Sequence, residues 1–129
     1  MAQSNDSKVR ERGRYAYQGL DRLIHEKARL SILSSLASHA DGLVFSDLKA
    51  LCALTDGNLS RQITQLQEAG LVEVWKGYKG NRPQTLVRLS KEGRKRFLEY
   101  LGVLENVLSD ASAVTQRPAA RVPSGFSPI

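Results

Sequence analysis

Two short runs rich in strand formers, Leu71-Val72-Glu73-Val74-Trp75-Lys76 and Thr85-Leu86-Val87-Arg88-Leu89, flank a loop over 77–84 that holds Gly80-Asn81. That dipeptide is a strong hairpin signal, because its residues accept the positive φ that a tight turn between twisted strands demands. The other patterned segments repeat at helical spacing. Leu20, Leu23, Ile24, Ala28, Ile32 and Leu36 form one stripe of a first helix expected over Leu20–Ser38. Leu30, Leu33 and Ala37 widen the stripe and leave Arg22, His25 and Arg29 as a narrow polar side, so the helix should touch more than one layer. Asp41-Gly42 ends it as a turn. Ser46 reads as the N-cap of a short second helix bearing Leu48, Leu51 and Cys52, with Asp47 favourable in its first turn. Leu54-Thr55-Asp56-Gly57 breaks that helix, and Thr55 caps a third over about Asp56–Ala69. Leu59, Ile63 and Leu66 share one face of the third helix, and Gly70 is its stop. After the hairpin, Ser90 caps a last helix on which Phe97, Leu101, Leu104 and Leu108 recur, flanked by Tyr100 and Val107.

A chain of 129 residues suits one domain, and with 41% hydrophobic but only 6% aromatic residues its core must be mostly Leu, Ile, Val and Ala. Residues 1–18 read as a flexible basic arm and 19–110 as the folded unit. Residues 111–129 hold Pro118, Pro123 and Pro128 and no acidic residue, which predicts a disordered tail. No run approaches the ~18 apolar residues of a membrane helix. Met1–Arg14 carries no apolar stretch of the kind a secretory signal needs, and the expected location is the cytoplasm. The single Cys52 forms no internal disulfide and builds no Cys-rich zinc site.

Charge is concentrated in one place. Lys76, Lys79, Arg82, Arg88, Lys91, Arg94, Lys95 and Arg96 are opposed within 76–96 only by Glu92. That segment carries +7 of a net +6, so the remainder sums to −1. A local basic patch on a balanced chain is the footprint expected for a polyanion partner. The plainer alternative is a solvated face kept positive for solubility.

The element order, helix, helix, short turn, helix and basic-tipped hairpin, predicts a winged helix-turn-helix, mainly α with a small β-hairpin (α+β). In that motif the second helix of the pair enters the major groove and needs a polar outer face. Asn58, Arg61, Thr64 and Gln65 supply one, with Arg suited to guanine and Asn or Gln to adenine. Lys79-Gly80-Asn81-Arg82 supplies charge for phosphates or the minor groove.

Three stretches carry a family resemblance: Thr55-Asp56-Gly57-Asn58-Leu59-Ser60-Arg61-Gln62-Ile63, Leu66-Gln67-Glu68-Ala69-Gly70-Leu71-Val72, and Thr85 to Leu89 followed by Ser90-Lys91-Glu92-Gly93-Arg94. Over about residues 20–108 the chain resembles the winged-helix transcriptional regulators, and among them the small MarR-like group. The resemblance implies a homodimer on duplex DNA at an inverted repeat. It implies recognition-helix contacts near Asn58, Ser60, Arg61, Thr64 and Gln65, and wing contacts near Lys79 and Arg82. Thr55, Lys76 and Asn81 complete the expected DNA-binding set, and Phe97, Leu101, Leu104 and Leu108 the expected dimer face.

Other residues invite sharper readings that compete with plain ones. Cys52, beside Leu48 and Leu51, fits a buried inert thiol better than a redox switch. His25 and His39 stand apart, and a His39–Asp41–Asp47 group fits a solvated loop better than a metal site. Tyr15, Tyr17 and Trp75 fit packing as well as a small-molecule pocket, and an effector is left open. Ser60 and Ser90 read as helix-start residues. No nucleophile elbow, phosphate loop or other catalytic motif is present, so neither an enzyme nor a cofactor is expected. The competing function is a winged helix that serves only as a protein–protein interaction module without DNA binding.

Overall fold

In a computed structural model, which describes residues 12–18, 20–116 and 118–129, five helices surround a three-stranded antiparallel sheet. The order is α1 (Arg22–His25), α2 (Lys27–Ala37), β1 (Leu43–Val44), α3 (Phe45–Cys52), α4 (Asp56–Glu68), β2 (Val72–Lys79), β3 (Arg82–Leu89) and α5 (Lys91–Thr115). The sheet order is β1-β3-β2.

The single first helix expected over Leu20–Ser38 is two. Glu26 adopts an extended conformation (ψ 134°), and its carboxylate accepts from the backbone N–H groups of Ala28 and Arg29, capping α2. Asp21 caps α1 in the same way through Leu23 N–H. Both are acidic side chains at helix starts, where orphan N–H groups and the helix dipole favour them. The apolar stripe continues through the break, because Ile24, Ala28, Ile32, Leu33 and Leu36 are all buried.

The expected Ser46 cap is also replaced. α3 begins at Phe45 after Val44, and no side chain caps it. Val44 is held instead by the sheet, where β1 pairs Leu43 with Val87 and Val44 with Leu86. Two residues are too short a run for alternation to reveal as a strand.

Alternation in the hairpin sorts its faces. Val72, Val74, Val87 and Leu89 face the core, while Glu73, Trp75, Leu86 and Arg88 line the outer face. The core joins all layers: Ile24, Ile32, Leu33 and Leu36, then Leu48, then Leu59, Ile63 and Leu66, then Phe97 and Tyr100. Full burial of such a side chain contributes ~1.5–3 kcal/mol, so this cluster is the main stabilising term.

A backbone clasp fixes α4, the hairpin and α5 together. Ser90 N–H donates to Leu71 O at 3.0 Å, and Ser90 Oγ donates to Gly70 O at 2.6 Å. The same hydroxyl accepts from Gly93 N–H at 2.8 Å, capping α5. A Cβ on Gly93 would lie 1.9 Å from Leu71 O, so only glycine allows this approach. The Ala-Gly-Leu-Val turn and the Leu-Ser-Lys-Glu-Gly closure are thus two halves of one contact.

Ion pairs tie the outer elements down. Asp21 pairs with Arg96, joining α1 to α5. Arg14 forks onto Asp110 of α5 at 2.8 and 3.0 Å, and Tyr17 donates its hydroxyl to the same carboxylate at 2.9 Å. Arg14 and Tyr17 of the expected flexible arm are therefore fastened to the last helix. That helix also continues past residue 110, to Thr115.

Candidate nucleic-acid interface

The turn between α3 and α4 is short and locally determined. Ala53 takes a left-handed conformation (φ 52°) that closes α3, with Leu54 N–H donating to Lys49 O. Thr55 Oγ1 accepts from Asn58 N–H at 3.2 Å, the cap expected from the sequence. Lys49 of α3 pairs with Asp56 of α4 at 3.0 Å across the turn.

α4 buries Leu59, Gln62, Ile63 and Leu66. The opposite side exposes Ser60, Arg61, Thr64 and Gln65, with Thr55 exposed at its start and Asn58 half-buried at the edge. All five residues singled out on this helix therefore lie on or beside one accessible face. They are also interconnected. Asn58 Oδ1 accepts from Arg61 Nη2 and from Gln62 Nε2, both at 3.2 Å. Thr64 Oγ1 donates to Ser60 O at 2.9 Å. Gln65 Oε1 accepts from Arg29 Nη1 of α2 at 2.6 Å. Gln62 and Arg29 join this face without having been marked by the sequence pattern as DNA-binding residues. The signal for Gln62 was its position between Leu59 and Ile63, inside the apolar stripe.

The hairpin is longer than expected. The predicted loop over 77–84 is mostly strand, paired out to Lys79 opposite Arg82, so only Gly80-Asn81 turns. Gly80 has φ 61°, a left-handed conformation suited to glycine. The turn projects Lys79, Asn81 and Arg82 into solvent, with Lys76 exposed three register steps back, opposite Thr85. Lys79 and Arg82 also line a cleft of about 430 Å³ shared with Phe45 and Ser46 at the start of α3.

Folding divides the basic segment. Arg88 pairs with Glu73 at 2.9 Å and lies over the Trp75 ring at 5.4 Å, while Arg96 pairs with Asp21. The other six cations make no ion pair with a described residue. Lys76, Lys79 and Arg82 lie toward the hairpin tip, and Lys91, Arg94 and Lys95 follow its opposite end. Seven residue steps of β3 separate the ends by about 23 Å. One run of charge in the sequence is therefore two patches on the molecule.

Of the expected dimer face, Phe97 is buried in its own chain, stacked on Tyr100 at 6.3 Å. Leu101 and Leu104 are partly buried against the same core, and Leu108 is 61% exposed. Tyr100, which is fully buried, shares a 2.6 Å hydrogen bond with His25 Nδ1, and burial pushes its phenol above the usual range. Tyr15, Tyr17 and Trp75 do not form a common pocket: Tyr15 stacks edge-on against Tyr17, whose hydroxyl binds Asp110, and Trp75 lies on the outer sheet face. Cys52 is half-buried with Sγ 3.5 Å from Ser35 Oγ. Among the described residues no three His, Cys, Asp or Glu side chains cluster as metal ligands, and His39 Nδ1 instead meets Ser35 O at 2.7 Å. No helix among them is long and apolar enough to cross a membrane.

A short helix, a tight turn, a second helix with a polar outer face and a cation-tipped hairpin define a winged helix-turn-helix. The chain belongs to the winged helix DNA-binding domain family, whose model matches residues 28–108. It is 37% identical over 57 residues to the uncharacterized protein MJ0432 of Methanocaldococcus jannaschii, a match spanning 44% of this chain and 62% of that protein. Among solved structures, it is similar to a transcriptional regulator homologue from Pyrococcus horikoshii OT3, with 28% identity, TM-score 0.64, and 70% and 88% of the two chains covered. The same fold is found in S. aureus MepR in complex with DNA (17% identity, TM-score 0.63, 86% and 90% covered). MarR shares it too (18% identity, TM-score 0.60, 86% and 84% covered), so the fold is MarR-like as its motifs implied.

Proposed function

We propose that this chain is a sequence-specific regulator of transcription, working in the cytoplasm rather than as an enzyme, that binds duplex DNA as a homodimer. α4 enters the major groove and the hairpin lies on the backbone or in the minor groove. The observation that carries this reading is the exposed row Ser60, Arg61, Thr64 and Gln65, with Asn58 at its edge, on a helix whose other side is buried. Arg61 is the base reader and Thr55 lies at the helix start. Lys76, Lys79, Asn81 and Arg82 meet phosphates or the minor groove. The regulator named from Pyrococcus horikoshii OT3, at 28% identity, supports the same assignment.

Dimerisation falls to the far part of α5. Its 25 residues extend about 37 Å. Phe97 and Tyr100 serve the chain's own core, whereas Leu108 is left exposed, so the candidate interface is Leu101, Leu104 and Leu108 with Val107 between. A two-fold pair would set two α4 helices about one DNA turn apart, ~34–36 Å, or a multiple of it. In this assignment 19–110 is the DNA-binding unit, and 1–18 and 111–129 are its flanking segments.

Selection of bound duplexes from a random DNA pool tests the proposal. An inverted motif with half-sites one turn apart is the expected result. Absence of any enriched motif, with binding equal on all duplexes, would overturn sequence-specific regulation and favour an interaction module instead.

A further inference from the structure

The two amides on the outer side of α4 are each held by one atom. Arg side chains only donate hydrogen bonds, so the Asn58 atom facing Arg61 Nη2 must be its oxygen. Gln62 must then turn its Nε2 toward that oxygen, as it does at 3.2 Å. Gln62 is 8% exposed, and its remaining Oε1 is buried without a partner. A buried carbonyl left unpaired is costly, so this orientation is maintained by the network around Asn58 and not by Gln62's own needs. The same logic holds a turn further on. Gln65 faces Arg29 Nη1, another pure donor, and its oxygen is occupied at 2.6 Å. Arg29 is largely buried, with Nε at ion-pair distance, 3.7 Å, from Glu26 but making no hydrogen bond.

Asn58 is thus left with its NH2 group free and both acceptor positions of its oxygen filled, and Gln65 with its NH2 group free and its oxygen turned onto Arg29. Arg61 between them also only donates. Adenine presents an acceptor beside a donor in the major groove, and an amide reads it through both its atoms. Guanine presents two acceptors, O6 and N7, and suits a face that only donates. Resting on the DNA-binding reading above, we infer that α4 selects guanine under Asn58, Arg61 and Gln65, and that Gln62 and Arg29 are the positioning residues that set this choice. This departs from the adenine pairing that Asn and Gln suggest as residue types.

The experiment is duplex selection followed by competition titrations on single-base variants of the selected half-site, at one salt concentration. Wild-type protein should select guanine at the positions read by α4, by about tenfold over adenine. Gln65→Leu, at an exposed position, should abolish the preference at one base pair and thereby identify it. Arg29→Met frees the Gln65 oxygen and should raise adenine at that same base pair to parity with guanine. Gln62→Leu removes the buried amide and should broaden preference at a different base pair, that of Asn58. Three results overturn the inference alone, with regulation intact: wild-type selecting adenine at these positions, Gln65→Leu leaving the motif unchanged, or Arg29→Met keeping full guanine preference. Circular dichroism confirms that each variant folds, and the Gln65 variant decides the matter should a buried substitution unfold the chain. Failure of wild-type to enrich any motif would instead overturn the DNA-reading proposal itself.

Discussion

Gly93 shows how one residue can set the relation between two elements. It lies in the first turn of α5 where the helix meets the Leu71 carbonyl, and a methyl group there would sit 1.9 Å from the oxygen. Neither partner can yield without breaking the Ser90–Gly70–Leu71 hydrogen bonds. Gly93→Ala should therefore cost about 3 kcal/mol or more, read as a lowered urea midpoint at unchanged slope. A loss under about 1 kcal/mol would mean that α5 shifts freely at its start. Ala53 presents the opposite case. Its left-handed conformation closes α3 but strains a residue with a Cβ. Ala53→Gly should stabilise the protein by about 0.5–1 kcal/mol, visible as a higher melting temperature.

Among elements, the hairpin and α1 each depend on charge in a testable way. Lys79 and Arg82 stand opposite each other at the turn, so on DNA both would neutralise phosphate or occupy the minor groove. The double Ala variant should weaken binding to all duplexes alike and lower the slope of log affinity against log salt by ~1 per lost phosphate contact. An unchanged slope would place the hairpin off the DNA. α1 is fastened to α5 by Asp21 and Arg96. The hydrogen bond from Arg96 holds the Asp21 carboxyl below its ordinary value of 3.8. A depressed folded value means that the pair's contribution is present above that ordinary value and is lost as pH falls through the folded one. Asp21→Asn keeps the cap on Leu23 and loses the charge, so it should be less stable by about 1 kcal/mol at pH 7. Denaturation curves of the two proteins should converge below about pH 4, and a gap that persists in acid would assign the loss to packing.

For the whole molecule, the question is what covers the far end of α5. Leu104 already packs on its own core, so its replacement would mix folding with assembly. Leu108, 61% exposed, separates the two. Leu108→Glu should halve the mass in sedimentation at micromolar concentration while leaving helical circular dichroism intact, and should abolish tight binding to a two-half-site duplex. A wild-type protein that sediments as a monomer and still binds such a duplex tightly would refute the dimer.

Much of this was written locally in the chain. Thr55 and Ser90 cap helices because a hydroxyl at those positions satisfies the N–H three residues on. Leu59, Ile63 and Leu66 had to share a face once the helix formed, and so the polar row opposite them had to be exposed. Gly80 specified the turn by accepting a positive φ. Tertiary contact decided the rest. Glu26 broke the first helix by bonding two N–H groups, an option no periodicity reveals. Two-residue β1 exists only because β3 offers it partners, and the strands of the hairpin lengthened because a paired neighbour outweighs weak propensity. The continuous basic segment became two patches because β3 carries the chain about 23 Å from the hairpin tip back to its base, where α5 begins. Residue type marked Asn58 and Gln65 as amides able to accept as well as donate, but only the packed arginines Arg61 and Arg29 fixed which of their atoms remains free. Covalent order fixes what lies near in sequence, whereas the state of a polar atom depends on what folding brings against it.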